Sequence, residues 1–318
     1  MSLGDLGLSE ADLSPRLKLV NLLPSALLIA TVGALVLSGA PQHAPSLDAL
    51  QRITEPLGWT TGVIAAVGAA VLGLMLQPLE LASIRLLEGY WRANGPLAGL
   101  GKFGFWLQKR RRSQLEWVRQ RLKYDDAALA SQADDVLRSS FPMELSLLPT
   151  TLGNRLRAME ERAGRPYGLN IIVTWPRLYF ILPEDALRKV NEYRNQLDIS
   201  SRLCITFGLA GVITAVLLLR FGWWLMLPTT FFALSWFAYR SAVEAASSYG
   251  VAVTAAIDVY RLKLLQALRT RMPQNSDEER TVNYALTEYW ERRGGTPPTV
   301  EYSLTDTDVG LRHGPDQG

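Results

Sequence analysis

The chain has 318 residues, 48% of them hydrophobic, with a formal net charge of +3, two histidines and one cysteine. The single cysteine excludes an intramolecular disulfide framework, and His43 and His313, far apart in a loop and a polar tail, argue against a zinc site or a histidine-based triad. A mean hydropathy of +0.07 conceals segregation: charge is dense in a few long segments and nearly absent from four windows, as in a membrane protein carrying soluble parts. The net charge by itself does not point to nucleic acid, which calls for a concentrated basic face with stacking aromatics.

Residues 1–18 are polar, with Asp5, Glu10 and Asp12 and no early basic residue, unlike a secretory signal. They read as a cytosolic N-terminus. Leu19–Leu37 is uncharged and long enough to span a bilayer, and Trp59–Leu76 is the second such window, so residues 19–84 read as a first transmembrane hairpin. In the second window Gly62, Ala66, Ala69 and Gly73 recur at helical spacing, a pattern that lets helix backbones approach closely in lipid.

Residues 85–202 read as a cytosolic region. It is entered through an amphipathic stalk that begins after Pro78, with Glu80, Arg85, Glu88 and Arg92 among Leu79, Ile84, Leu87 and Trp91. Four glycines and Pro96 between Asn94 and Gly104 predict a break. The run GLGKFG at 99–104 matches a dinucleotide fingerprint in form, but it follows a helix rather than a strand, which argues against nucleotide binding. Lys109, Arg110, Arg111 and Arg112 form the densest basic run, beside Phe103, Phe105 and Trp106. Near a membrane such a cluster attracts anionic lipid, with Trp106 at headgroup level; the same charges also serve as a plain topology signal.

Two helical stripes follow, Leu115, Val118 and Leu122, then Ala127–Leu137. Pro149, Thr150 and Thr151 precede a helix over Leu152–Arg162, with hydroxyl caps in place. The β-branched run in Leu169–Trp175 suggests a short strand, with Trp175 and Pro176 holding extended backbone after it. Pro183, Glu184 and Asp185 mark the start of a helix that leads straight into Leu203.

Leu203–Tyr239 holds 37 residues with one charge, Arg220. As one helix it would be about 55 Å long at ~1.5 Å per residue, against a hydrocarbon core of ~30 Å, so residues 203–240 read as a second transmembrane hairpin turning at Arg220, Phe221 and Gly222. Cys204 lies at the mouth of the first arm, where a small apolar thiol packs well. Residues 241–293 read as a cytosolic stalk with a stripe of Val253, Ile257, Tyr260, Leu264 and Leu268, then a helix from Ser276 with Glu279 completing a capping box. Residues 294–318 read as a disordered tail.

The fold class expected is therefore all-α, with four transmembrane helices as two hairpins, helical stalks and a mainly α cytosolic region holding one or two short strands at most. Placing loops on alternate sides puts 31 of the 33 lysines and arginines on one side, leaving only Arg52 and Arg220 on the other. The positive-inside rule then places both termini in the cytosol of a plasma-membrane protein.

The segment LGNRLRAMEERAGRPYGLNIIVTWPRLYFILP at 152–183, followed by the hairpin with its GWW turn, resembles a family of bacterial, especially actinobacterial, integral membrane proteins of uncharacterised function. The resemblance implies a shared four-span layout and no chemistry. Asn154, Tyr167, Trp175 and Arg177 are among the positions that carry it, and they are the candidate interaction residues. The reading favoured is a non-enzymatic membrane module, of signalling or defence type, whose cytosolic region assembles as a homo-oligomer or with a protein partner. A homo-oligomeric pore is the alternative; a lipid-acting enzyme using Glu80, Glu88, Glu160, Glu161, Arg177 or Asp258 comes third. No catalytic, cofactor or metal site and no nucleic-acid partner is expected.

Overall fold

Two long helices carry the architecture. The computed structural model describes residues 27–46, 48, 51, 67–68, 80–91, 95, 97–142, 146–291 and 299–302. Helices α1 (Leu27–Leu37), α2 (Glu80–Glu88), α3 (Ala98–Arg121), α4 (Ala127–Ser140), α5 (Thr151–Arg162), α6 (Ile171–Tyr179), α7 (Glu184–Leu218), α8 (Met226–Ala267) and α9 (Ser276–Glu291) make the described chain mostly helical. The expectations for residues 1–18, for most of the 59–76 window and for most of the tail lie outside the described residues.

Helix α7 starts where an acidic first turn complements the helix dipole, Glu184 and Asp185 following Pro183. It runs without a break from a polar stretch into an apolar one. Among the described residues it is the one helix long and apolar enough to cross a membrane; Leu27–Leu37 is a shorter apolar helix. The chain reverses after Leu218 through the 3-10 turn Gly222–Leu225, at the Arg220–Gly222 position expected, and α8, 42 residues long against the 35 of α7, returns along it. Helix α1 lies on the far half of this pair. Leu28 packs with Ala210 and Phe231, while Leu35 and Ala40 pack with Leu218, Phe221 and Trp224. Its chain direction is therefore that of α7.

The near half of α7 and α8 is the wall of the main core. Val190 and Leu197 of α7, and Val253, Ile257 and Leu264 of α8, close on Leu152, Leu156 and Met159 of α5 and on Ile171, Trp175 and Leu178 of α6. The α8 stripe that the sequence predicts is thus the one that is buried. Helix α3 packs chiefly on α4, and Arg119 reaches Asp134 at 3.2 Å.

Several expectations change. The β-branched run 171–174 is the start of α6, not a strand: Asn170 Oδ1 accepts from Ile172 N at 3.0 Å, and Ile171, Thr174, Trp175 and Leu178 fall on one buried helical face. Pro176 sits inside that helix, so Trp175 and Pro176 do not hold extended backbone. Among the described residues no strand forms, only one isolated bridge between Thr270 and Tyr302. The stalk α2 ends at Glu88 and Gly89, and Gly99, Gly101 and Gly104 lie within α3, so GLGKFG is helical, and among the described residues no strand precedes it. The cap of α9 is Asn275, whose Oδ1 accepts from Asp277 N and Glu278 N; Glu279 instead pairs with Arg261 at 2.7 Å.

Candidate functional site

The four candidate interaction residues sit inside the chain's own joints. Asn154 is fully buried and clamps the preceding loop: its Oδ1 accepts from Leu148 N at 2.7 Å, and its Nδ2 donates to Leu148 O at 2.9 Å. Next to it, a Cβ on Gly153 would stand 2.0 Å from Glu88 O, so only glycine lets α2 and α5 approach this closely. Thr150 locks the same joint, accepting from Gly153 N at 3.0 Å and donating to Glu88 O at 2.8 Å. The start of α5 is then pinned to α8, since Leu152 N donates to Tyr239 Oη at 3.3 Å and Arg155 Nη1 donates to Val243 O at 3.0 Å.

Trp175 is 2% exposed and meets Tyr179 edge-on, centroids 6.2 Å apart. Its ring contacts the core and offers no outward face. Arg177 and Tyr167 hold α9. The Arg177 guanidinium stands 4.5 Å over the Trp290 ring, and Arg261 stands 4.0 Å over Tyr167 while pairing with Glu279. The Tyr167 carbonyl accepts from Asn283 Nδ2 at 2.9 Å. Burial, with Asp258 as hydrogen-bond partner, raises the Tyr167 hydroxyl above the ordinary phenol range. Such cation–π and polar contacts hold α9 together with Leu286, its one fully buried apolar side chain, and Trp290, which packs half-buried against the main core.

The acidic residues divide. Glu88 and Glu160 are buried, and both carboxylates push the Tyr90 hydroxyl upward after burial itself, with Arg157 opposing. Arg157 lies 3.6 Å from Glu160 and 3.7 Å from Glu161, and Ser146 donates to Glu161. Asp258 lies apart, beside Tyr167 and Arg261, and the side chain of Glu80 is outside the described residues. Below the apolar hairpin, burial holds the Asp198 carboxyl above the usual range despite Arg194 and Arg202, and pushes Tyr249 up to about 12. Among the described residues, no three His, Cys, Asp or Glu side chains converge where a metal ion could be held.

The basic run has a different setting. Helix α3 buries none of its 24 residues. Lys109, Arg110 and Arg111 are exposed, with Arg110 5.5 Å over the Trp106 ring, whereas Arg112 turns inward to Glu116 at 2.9 Å and to Pro142 O at 3.2 Å. Trp117, 62% exposed, joins this outward face without being singled out by the sequence, although its position eleven residues after Trp106 is helical register.

The chain matches no protein-family description, no curated protein and no solved structure.

Proposed function

We propose that this chain is a four-span, non-enzymatic integral membrane protein of the plasma membrane, with both termini cytosolic, whose cytosolic region assembles with further copies of itself. The observation that carries the assembly is a stripe on the cytosolic stalk of α8. Val251, Ala255, Val259 and Leu262 step by four, four and three residues on its outward side, and Val251 and Val259 are 70% and 68% exposed. Exposed apolar side chains at this spacing on a helix away from lipid suit a facing helix.

The parallel course of α1 and α7 supports the topology. Two segments that cross in the same direction begin on the same side, which is what two hairpins with cytosolic termini require. The resemblance over 152–183 supports the same four-span layout. Within the hairpin, the Thr214, Thr229 and Thr230 hydroxyls donate back to carbonyls of their own helices, at 2.6, 2.8 and 2.9 Å, which disfavours the pore alternative.

The test is the particle mass of detergent-purified protein with and without Val251→Glu and Val259→Glu. Multimers that the double variant reduces to monomers uphold the reading. A strictly monomeric parent that recovers no partner in a pull-down refutes it. Membrane insertion is read independently, by retention in membranes at alkaline carbonate pH.

A further inference from the structure

The geometry points to the outward face of α3 as an anionic-lipid-binding surface, a shelf laid against the headgroups of the membrane that holds the hairpin; the inference rests on the membrane reading above. Phe103, Trp106, Arg110, Trp117 and Arg121 fall on one side of the helix at steps of three, four, seven and four, all exposed. Phe103 and Trp106 stack with centroids 6.0 Å apart, and Arg110 covers the Trp106 ring. Lys102, Lys109 and Arg111 flank this stripe and are exposed as well.

The charge distribution selects the occupant. Glu116 is the only acid of α3, and it is spent on Arg112 on the inward side; Arg119 is spent on Asp134 of α4. What remains outward is cationic and aromatic with no acid in it, the composition that anionic headgroups attract and in which indole rings settle at the water–hydrocarbon boundary. A soluble helix of this length gains stability by burying an apolar face, yet no residue of α3 is fully buried, its inward side is only half-covered, and its largest side chains are exposed.

The level of the helix fits. Gln108 Nε2 donates to Thr151 Oγ1 at 3.0 Å, and the next residue, Leu152, is bonded through its N–H to Tyr239. Tyr239 adjoins Arg240, whose guanidinium lies 5.7 Å over the 56%-exposed Trp236, an aromatic–cation pair at the end of the apolar hairpin. The first half of α3 is therefore two contacts from the place where α8 leaves the apolar zone. A second copy or a nucleic acid on this face would not need that proximity.

The test uses the full chain in lipid nanodiscs, with Cys204→Ser and Ser113→Cys to carry one nitroxide on the outward side. In discs containing anionic phosphatidylglycerol the label loses collisions with a water-soluble nickel chelate and regains them in 1 M salt; in neutral phosphatidylcholine discs it stays water-exposed. Adding Arg110→Gln and Arg121→Gln lowers the docked-to-free ratio roughly 25-fold, about five-fold per basic residue, with helix content unchanged. A label equally exposed in both discs, or equally shielded in both as a protein partner would make it, overturns the proposal. A chain that never incorporates into discs overturns the membrane reading and the proposal with it; one that incorporates but keeps an exposed label overturns the proposal alone.

Discussion

Trp175→Ala separates a role in the fold from a role in partner capture. The side chain is 2% exposed among residues of α5, α6, α7 and α8. A tryptophan buries roughly 150–250 Å² and its edge-on contact with Tyr179 adds about 0.5–1.5 kcal/mol. Truncating such a ring to alanine costs about 3–5 kcal/mol, because the surrounding helices close only part of the cavity. Against a total stability of roughly 5–15 kcal/mol this is a large share. At about 2–4 °C per kcal/mol for a domain of this size, the melting temperature should fall by roughly 6–20 °C. The assay is thermal unfolding of the detergent-solubilised full chain followed by far-ultraviolet circular dichroism, with Trp175→Phe as the milder control. A variant that melts with the parent but loses its assembly state would refute the argument, since Trp175 would then have to act outside the core.

Gly153→Ala forces its Cβ onto the Glu88 carbonyl, and backbone cannot yield as a side chain would; the α2–α5 joint should open at a cost of about 1–3 kcal/mol, read as a lower melting temperature. Weakening α9 with Arg261→Met removes the Glu279 ion pair and the Tyr167 stack together. Amide exchange in 276–291 should accelerate about 5- to 30-fold, the equivalent of one or two kcal/mol, with α5 and α6 unaffected; uniform exchange across the module would reject a separately latched α9. Asp198 is held above its ordinary value of 3.8 by burial, so its folded form resists ionisation. The protein is free of that penalty below the unfolded value and meets it as pH rises through the folded one. Asp198→Asn should therefore match the parent at low pH and gain on it towards neutrality; a pH-independent difference between the two melting curves would contradict this.

The parts of the fold legible in the sequence are those set by a single strong signal. An apolar window with one charge at its middle makes a hairpin, and Arg220–Gly222 is where α7 ends and the 3-10 turn begins. Thr150 before Leu152 makes an N-cap, and its side chain accepts from Gly153 N as expected. The errors come where two signals compete. Ile171, Ile172, Val173 and Thr174 have the composition of a strand, but 171, 174, 175 and 178 have the period of a helix, and the period prevails because that face is buried against α5 and α8. The glycines at 99, 101 and 104 look like breakers, yet all three are helical, and two of them serve close packing: Gly101 lies against Trp91 and Gly104 against Pro149.

For the candidate site the difficulty is of another kind. Asn154, Tyr167, Trp175 and Arg177 stand out in the sequence as positions that carry the resemblance over 152–183. The chain uses all four on itself: a loop clamp, a stack under Arg261, a core ring and a cation over Trp290. Joints of this sort need specific side chains, since each must satisfy buried polar groups at fixed distances. The outward faces need only a type of side chain at a helical period, as with Val251, Ala255, Val259 and Leu262, or the aromatic and basic residues of α3. The four residues of the segment 152–183 therefore report the architecture, while of the outward faces the basic run beside Trp106 is legible in the sequence and the α8 stripe and Trp117 are revealed by their exposure. Assembly and lipid binding should accordingly tolerate exchange among aliphatic side chains on α8 and between arginine and lysine on α3. The four joint positions, Asn154 and Trp175 buried and Tyr167 and Arg177 half-buried, should tolerate little exchange, and they should fail by unfolding before they fail by losing a partner.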